Sequence, residues 1–263
     1  TVGVVAWQAF GLVFVAGLVT AVATGLGALP FFLVGEVSRR LNVALWGVAS
    51  GIMLTASALG LVPEGLAHGE VTTVVVGLLV GVALVALAHR LLDDHEFDPG
   101  EYETADVRQL ALILGVLTVH SFPEGIAIGV SFAALNLDVG VVPPLAVAMT
   151  VAISVHNIPE GVAISIPLRE MGVSPWRMVG WSIFSSLPQP LGAVLAFAFV
   201  RVAAPLLPVG FGFAAGAMVA LVVVEFVPEA LETGKPLARN GYDVFAGGTA
   251  LGGAGMWLLL VAV

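Results

Sequence analysis

One short phrase occurs twice in this sequence, as His120-Ser-Phe-Pro-Glu124 and as His156-Asn-Ile-Pro-Glu160, and the two copies start 36 residues apart. On an α-helix, residues four positions apart lie about 40° from each other around the axis, so each His and Glu share a face. Two such helices could direct four ligands to one point. Imidazole nitrogen with carboxylate oxygen suits Zn²⁺, or another divalent ion such as Fe²⁺, Mn²⁺ or Cd²⁺.

Each phrase also contains a proline, Pro123 or Pro159, which has no backbone N–H to donate. We therefore expect each helix to kink or loosen there and to free carbonyl oxygens beside the histidines. Broken helices with polar groups at mid-membrane are typical of transporters. A charged side chain in the bilayer centre costs roughly 3 kcal/mol on insertion scales, so these glutamates predict a compensating cation or a wet cavity.

The composition places these phrases in a membrane protein. Hydrophobic residues make up 59% and charged residues 10% of the 263-residue chain, and the mean hydropathy of +1.07 excludes a soluble domain. Long apolar runs favour helices over the alternating strands of a barrel. The first run has no basic segment before it and is interpreted as a true span rather than a signal peptide.

Two further features of composition limit the function. The absence of cysteine excludes disulfides, thiolate metal sites and a cysteine nucleophile. The net charge of −9 reflects an acidic loop and acidic residues inside spans, so it does not indicate a nucleic-acid partner. Membrane lipid and a divalent metal ion are the expected partners, no organic cofactor is expected, and the sequence leaves open whether the protein works alone or as a homodimer.

We predict an all-α polytopic protein with one transmembrane transporter domain over residues 1–263, containing an acidic cytoplasmic loop at 93–107. Glycine and proline at 24–30 and a polar, proline-containing patch at 185–192 should break the helices there. Spans two and seven are expected to end at the Pro-Glu pairs that begin at Pro63 and Pro228. The eight predicted spans are 4–23, 43–62, 71–92, 108–135, 141–168, 176–200, 206–227 and 244–263.

The orientation follows from basic residues, which concentrate in cytoplasmic loops. Four alternate loops hold eight of the nine Lys and Arg residues, and the other loops hold only Arg201. This bias predicts that those four loops are cytoplasmic and that both termini lie outside, in a prokaryotic inner or plasma membrane. The eight residues are Arg39, Arg40, Arg90, Arg108, Arg169, Arg177, Lys235 and Arg239.

An internal repeat accompanies this topology. Gly51-Ile-Met53 precedes a Pro-Glu pair by ten residues, and so does Gly216-Ala-Met218. Spans two and seven therefore match, as do spans four and five, and in each pair the two spans run in opposite directions. This pattern predicts an inverted repeat that relates spans one to three to spans six to eight, with the site on the axis near the bilayer midplane.

Taken together, these residues resemble the Zrt-, Irt-like (ZIP) divalent metal transporters, especially the bacterial GufA-like branch, over essentially the whole chain. The motifs that carry the resemblance are Thr24-Gly-Leu-Gly-Ala-Leu-Pro30, Ser50-Gly-Ile-Met-Leu-Thr-Ala-Ser57, the two Pro-Glu-Gly phrases and the Pro-Leu-Gly of span six. The resemblance implies metal uptake into the cytoplasm through a binuclear site. It assigns Met53, His120, Glu124, His156 and Glu160 to a first position and Ser121, Asn157 and Gln189 to a second, bridged by the two glutamates.

The chain departs from the family pattern at the second position, where span four commonly has Asn instead of Ser121 and span six commonly has Glu instead of Gln189. Losing a carboxylate removes charge that would offset a second dication, so we expect that position to be weak. By the residues alone, Met53 is core packing unless span two faces the same cavity. Glu225 lies deeper in span seven than the Pro-Glu pair and is a candidate for the metal's pathway.

Two alternatives come from other functional classes. An intramembrane zinc metalloenzyme would also use His and Glu, but the sequence contains neither a His-Glu-x-x-His nor a Gly-x-Ser-x-Gly motif, and we expect no enzyme activity. A proton-coupled carrier of an organic solute would use the same glutamates as proton sites, and metal-dependent stabilisation would distinguish it from a metal transporter.

Overall fold

A computed structural model describes residues 2–33, 37–92, 121–135, 141–170 and 172–262. Over these residues the chain is helical and contains no strand, which confirms the all-α prediction. The predicted acidic loop at 93–107, the first part of span four and His120 lie outside the described residues.

Eleven α-helices, together with short 3₁₀ and π segments, make up the described part. The helices are α1 Val2–Leu26, α2 Arg39–Thr55, α3 Val62–His68, α4 Val71–Leu92, α5 at 121–131, α6 Pro144–Glu170, α7 Pro175–Ser185, α8 Pro188–Val202, α9 Leu207–Leu221, α10 Val227–Gly234 and α11 Tyr242–Ala262.

Seven stretches of the described residues are long and apolar enough to cross a membrane. They correspond to the predicted spans one, two, three, five, six, seven and eight, and the described part of span four is helical at 121–131. α4 has the predicted bounds of span three, and α11 differs from span eight by two residues at its start and one at its end. α2 starts at Arg39, four residues before the predicted start of span two, and there the Ser38 hydroxyl accepts a hydrogen bond from the backbone N–H of Leu41.

The predicted ends of spans two and seven are wrong, because both helices continue past their prolines. A π-helical segment, Ala56–Leu61, precedes Pro63, and the N–H of Val62 bonds to the carbonyl of Ser57, five residues back. A second π segment, Val222–Phe226, precedes Pro228 in the same way, with Val227 bonded to Val222. The wider turn accommodates a proline that has no N–H and would clash with a normal helical carbonyl.

The breaks predicted at 24–30 and 185–192 are confirmed. α1 ends at Leu26, and a 3₁₀ turn at Leu29–Phe32 contains Pro30. Span six is divided into α7 and α8 at Ser186 and Leu187, directly before Pro188. In contrast, α6 runs as one helix across Pro159, so that proline does not end it.

Glycines let two pairs of helices approach closely. α2 packs on α11 through Gly51 and Gly252, each of which faces backbone atoms of the other helix. α4 packs on α9 in the same manner, and there Gly212 and Gly216 face the backbone of α4. In lipid, where apolar side chains gain little from meeting each other, such backbone contact is a main source of helix association.

The remaining helices form the interior that positions the site. α1 packs against α6, α7 and α8, and its span is 56% buried, compared with 22% for the span of α4 and 17% for that of α11. α4 and α11 are therefore the most exposed of the described membrane-length helices, and the polar residues described below lie among α1, α5, α6 and α8.

Candidate metal site

Three ligand-type side chains meet between α5 and α6. Glu124 of α5 and His156 and Glu160 of α6 each direct one ligand atom to a common region, and these atoms lie within 4.8 Å of one another. All three residues are buried, with exposures of 2%, 0% and 8%. Glu160 follows His156 by four residues, so the α6 pair shares a helix face as the sequence predicts.

The cluster lies near the middle of a membrane-spanning helix. His156 is 12 residues from the start of α6 at Pro144 and Glu160 is 10 residues from its end at Glu170. At 1.5 Å of rise per residue, this places the imidazole roughly 18 Å from the helix start. Carboxylates at that depth are costly unless a cation or polar partner compensates them.

A hydrogen bond links the two helices across the cluster. Nε2 of His156 lies 2.9 Å from Oε1 of Glu124, and Nδ1 of His156 is buried without a hydrogen-bond partner among the described residues. The ring of Phe226, from the second π segment, packs 6.3 Å from the imidazole, centroid to centroid. One imidazole nitrogen and two carboxylate groups form a donor set that suits Zn²⁺ and related divalent ions.

An amide network adjoins the carboxylate of Glu124. The fully buried Gln189 of α8 donates from Nε2 to Oε2 of Glu124. Its Oε1 accepts from Nδ2 of Asn157, at 3.1 Å, and lies 2.6 Å from the hydroxyl of Thr20. The single hydrogen of that hydroxyl is shared between Gln189 and the carbonyl oxygen of Gly17, which lies 2.8 Å away. Nδ2 of Asn157 also donates to the backbone carbonyl of Thr20, at 2.7 Å.

The other predicted site residues lie in different surroundings. Ser121 is buried and donates its hydroxyl to the carbonyl of Ser185, at 2.9 Å, so it joins α5 to the end of α7. Met53 is fully buried in the hydrophobic core. Glu225 is half-buried in the second π segment. His120 lies outside the described residues.

Two contributors to the site were missed by the sequence analysis. Thr20 hydrogen-bonds to Gln189, and Phe226 packs on His156. A signal existed for Thr20, since Thr20 and Thr24 are polar residues four positions apart in an apolar span and therefore share one face. No comparable signal marks Phe226, which is an apolar residue in an apolar run.

Comparison with known proteins supports this picture. The family model described as ZIP zinc transporter matches residues 88–260. The chain is 43% identical over 220 residues to a putative zinc transporter of Arabidopsis thaliana, covering 83% of this chain but 34% of that protein. It is 34% identical to the zinc transporter GufA of Myxococcus xanthus, with 82% of this chain and 87% of that protein covered.

A third relative is the zinc transporter ZupT of Corynebacterium glutamicum, which is 34% identical over 250 residues, 86% of this chain and 90% of that protein. The chain thus spans about a third of the plant relative and about nine-tenths of these two bacterial ones. The family match and the bacterial relatives show that this chain belongs to the ZIP zinc transporter family, and its similarity to GufA supports the bacterial GufA-like branch.

Proposed function

We propose that this chain carries a divalent metal ion, Zn²⁺ before Fe²⁺, Mn²⁺ or Cd²⁺, across the membrane into the cytoplasm through the buried site between α5 and α6. The observation that carries the proposal is the convergence of Glu124, His156 and Glu160 within 4.8 Å at mid-helix. His120 is the proposed fourth ligand, since it precedes Glu124 by four residues as His156 precedes Glu160. Zinc is preferred because the relatives are named zinc transporters.

Membership of a transporter family decides against the metalloenzyme alternative, and the chain is not an enzyme.

In the proposed mechanism, the ion exchanges its hydration shell for the imidazole and carboxylate ligands at mid-membrane. The site is then exposed alternately to the outside and to the cytoplasm. Glu225, between the site and the cytoplasmic end of its helix, is proposed to lie on the outgoing path. One chain holds a complete site, and a homodimer would hold two.

We also propose a finer assignment of ligands to a first and a second metal position. Met53 would add a thioether to the first position if α2 turned toward the cavity. A second position formed by Ser121, Asn157 and Gln189 would hold an ion weakly, because it adds no carboxylate to the two glutamates that balance one dication.

The inverted repeat and the orientation belong to the same proposal. Matching π segments before Pro63 and Pro228 support the relation between spans two and seven. If span two maps to span seven and span three to span eight, the packing of α2 on α11 maps to the packing of α9 on α4, and both pairs are held by glycines. The basic-residue count supports termini outside a prokaryotic plasma membrane, with a single transporter domain over residues 1–263.

Zinc-dependent stabilisation of the purified chain in detergent tests the site. A ligand at 100 times its Kd stabilises the state that binds it by about 2.7 kcal/mol, which for a chain of this size raises Tm by about 5 to 10 °C. Glu160→Gln should abolish the rise. Glu232→Gln, which alters an exposed ion pair with Lys235, should retain it. A carrier of an organic solute would show no zinc-dependent rise in wild type.

A further inference from the structure

The side chain of Gln189 is held at both ends, and its orientation follows from its neighbours. Nδ2 of Asn157 donates to the backbone carbonyl of Thr20, and since a carbonyl only accepts, the atom facing it must be the nitrogen. The same nitrogen faces Gln189, so the oxygen of Gln189 must point toward Asn157. Its NH₂ group is then left for Glu124.

The reverse orientation of Gln189 is unfavourable at both ends. Turning the amide would place its NH₂ against the NH₂ of Asn157 and its oxygen against the carboxylate of Glu124. At one end two donors would then face each other, and at the other end two acceptors would. Thr20, Asn157 and Gln189 are all fully buried, so water cannot relieve either contact. Buried polar groups without partners are costly, so the backbone carbonyl of Thr20 determines which end of Gln189 meets Glu124.

We propose that Thr20 and Asn157 are positioning residues that act through Gln189 to orient Glu124 for a single metal ion. This inference rests on the proposed function, in which Glu124 is a ligand. Oε2 of Glu124 accepts a hydrogen bond from the NH₂ group of Gln189. Oε1, which is hydrogen-bonded to His156 in this structure, is the oxygen that binds the metal. The site thus binds one divalent ion, with Glu124 as a monodentate ligand.

The same geometry sets the number of ions. On the far side of Glu124 an incoming cation would meet N–H donors of Gln189, which repel it, because the amide oxygen is already used by Thr20 and Asn157. This inference replaces the weak second position of Ser121, Asn157 and Gln189 proposed above, in which Gln189 would supply an oxygen. The NH₂ group takes the place that a second cation would need.

Zinc titration of the 263-residue chain in detergent tests this relay of hydrogen bonds from Thr20 and Asn157 through Gln189 to Glu124. Zinc affinity, stoichiometry and the Tm of the metal-free protein are measured together. Thr20→Val removes the hydroxyl that lies 2.6 Å from the oxygen of Gln189 and leaves the backbone carbonyl of Thr20 in place. Because that oxygen is then held by Asn157 alone, we expect zinc affinity to fall about 10-fold, the lower end for loss of an outer contact. Thr20→Ser should restore wild-type affinity. Thr24→Val is the matched control, because Thr24 is a fully buried threonine one turn along α1 that bonds to Ser186 instead.

Asn157→Asp separates the relay from simple electrostatics. An added negative charge beside the site should tighten cation binding, whereas the relay predicts weaker binding, because the new carboxylate turns Gln189 and opposes its oxygen to Glu124. One ion per wild-type chain, with weaker zinc binding in Thr20→Val and Asn157→Asp, supports the relay. Tighter binding in Asn157→Asp, two tightly bound ions in wild type, or unchanged zinc affinity in Thr20→Val, whether or not its Tm falls, would overturn it. Loss of all binding in wild type would instead overturn the proposed function itself.

Discussion

Gly125 is the position where a single methyl group should disturb the metal site most directly. A Cβ atom added there would lie 2.9 Å from both Cα and the carbonyl carbon of Gln189, and closer still to its carbonyl oxygen. Ordinary contacts begin near 3.4 Å, so α5 and α8 would have to separate by at least about 0.5 Å to clear the two carbon atoms, and by more to clear the carbonyl oxygen. The obstructing atoms belong to the backbone of Gln189, so no rotamer change can relieve the contact.

Gly125→Ala should therefore cost about 2 kcal/mol, since overpacking against backbone belongs at the upper end of the usual range of about 1 to 3 kcal/mol and alanine returns up to about 1 kcal/mol of helix propensity. For a chain of this length, that is a Tm lowered by about 4 to 8 °C in detergent. Zinc affinity should fall as well, because Gly125 is adjacent to Glu124 and the displaced residue is Gln189, which holds its carboxylate.

Gly180→Ala is the matched control. Gly180 also lies within a helix, α7, but an added Cβ there meets no atom within 4 Å. Alanine should leave Tm unchanged or raise it slightly through helix propensity, with zinc affinity as in wild type. Equal Tm and equal zinc affinity in Gly125→Ala and Gly180→Ala would refute the close approach of α5 and α8 beside the site.

Two further predictions concern protons and topology. Zinc affinity should fall as the pH is lowered from about 7.5 to about 5.5. Binding needs a neutral His156 and ionised Glu124 and Glu160, and protons compete for the same atoms. A zinc affinity that stays constant in a pH series of titrations would contradict this ligand set. In a cysteine-free chain, single cysteines replacing Leu237 and Glu70 should react with a membrane-impermeant thiol reagent from opposite sides of oriented vesicles, and labelling of both from one side would contradict the proposed orientation.

The sequence was sufficient for the features that depend on local pattern. The repeated His and Glu spacing predicted a site at which His156 and Glu160 share one helix face, and the structure brings Glu124 to them. The break before Pro188 and the bounds of α4 were also predictable, because glycine, proline and apolar runs act within a few residues.

What the sequence did not predict depends on contacts between distant segments or on how a helix absorbs a proline. Pro63 was expected to end its helix, yet a π turn fixed by the bond from Val62 to Ser57 carries the helix to His68. The bond from Thr20 to Gln189 joins residues 169 positions apart, and no local periodicity reports it. The orientation of the Gln189 amide follows only once both neighbours are in place.

Zinc uptake into proteoliposomes tests whether the buried site carries the transported ion. Purified wild-type chain, Glu160→Gln and the exposed control Glu232→Gln would be reconstituted at equal density, with internal zinc followed by a trapped fluorescent indicator. We expect saturable zinc entry for wild type and Glu232→Gln and background entry for Glu160→Gln. Equal uptake by Glu160→Gln and wild type would contradict transport through the buried site of Glu124, His156 and Glu160.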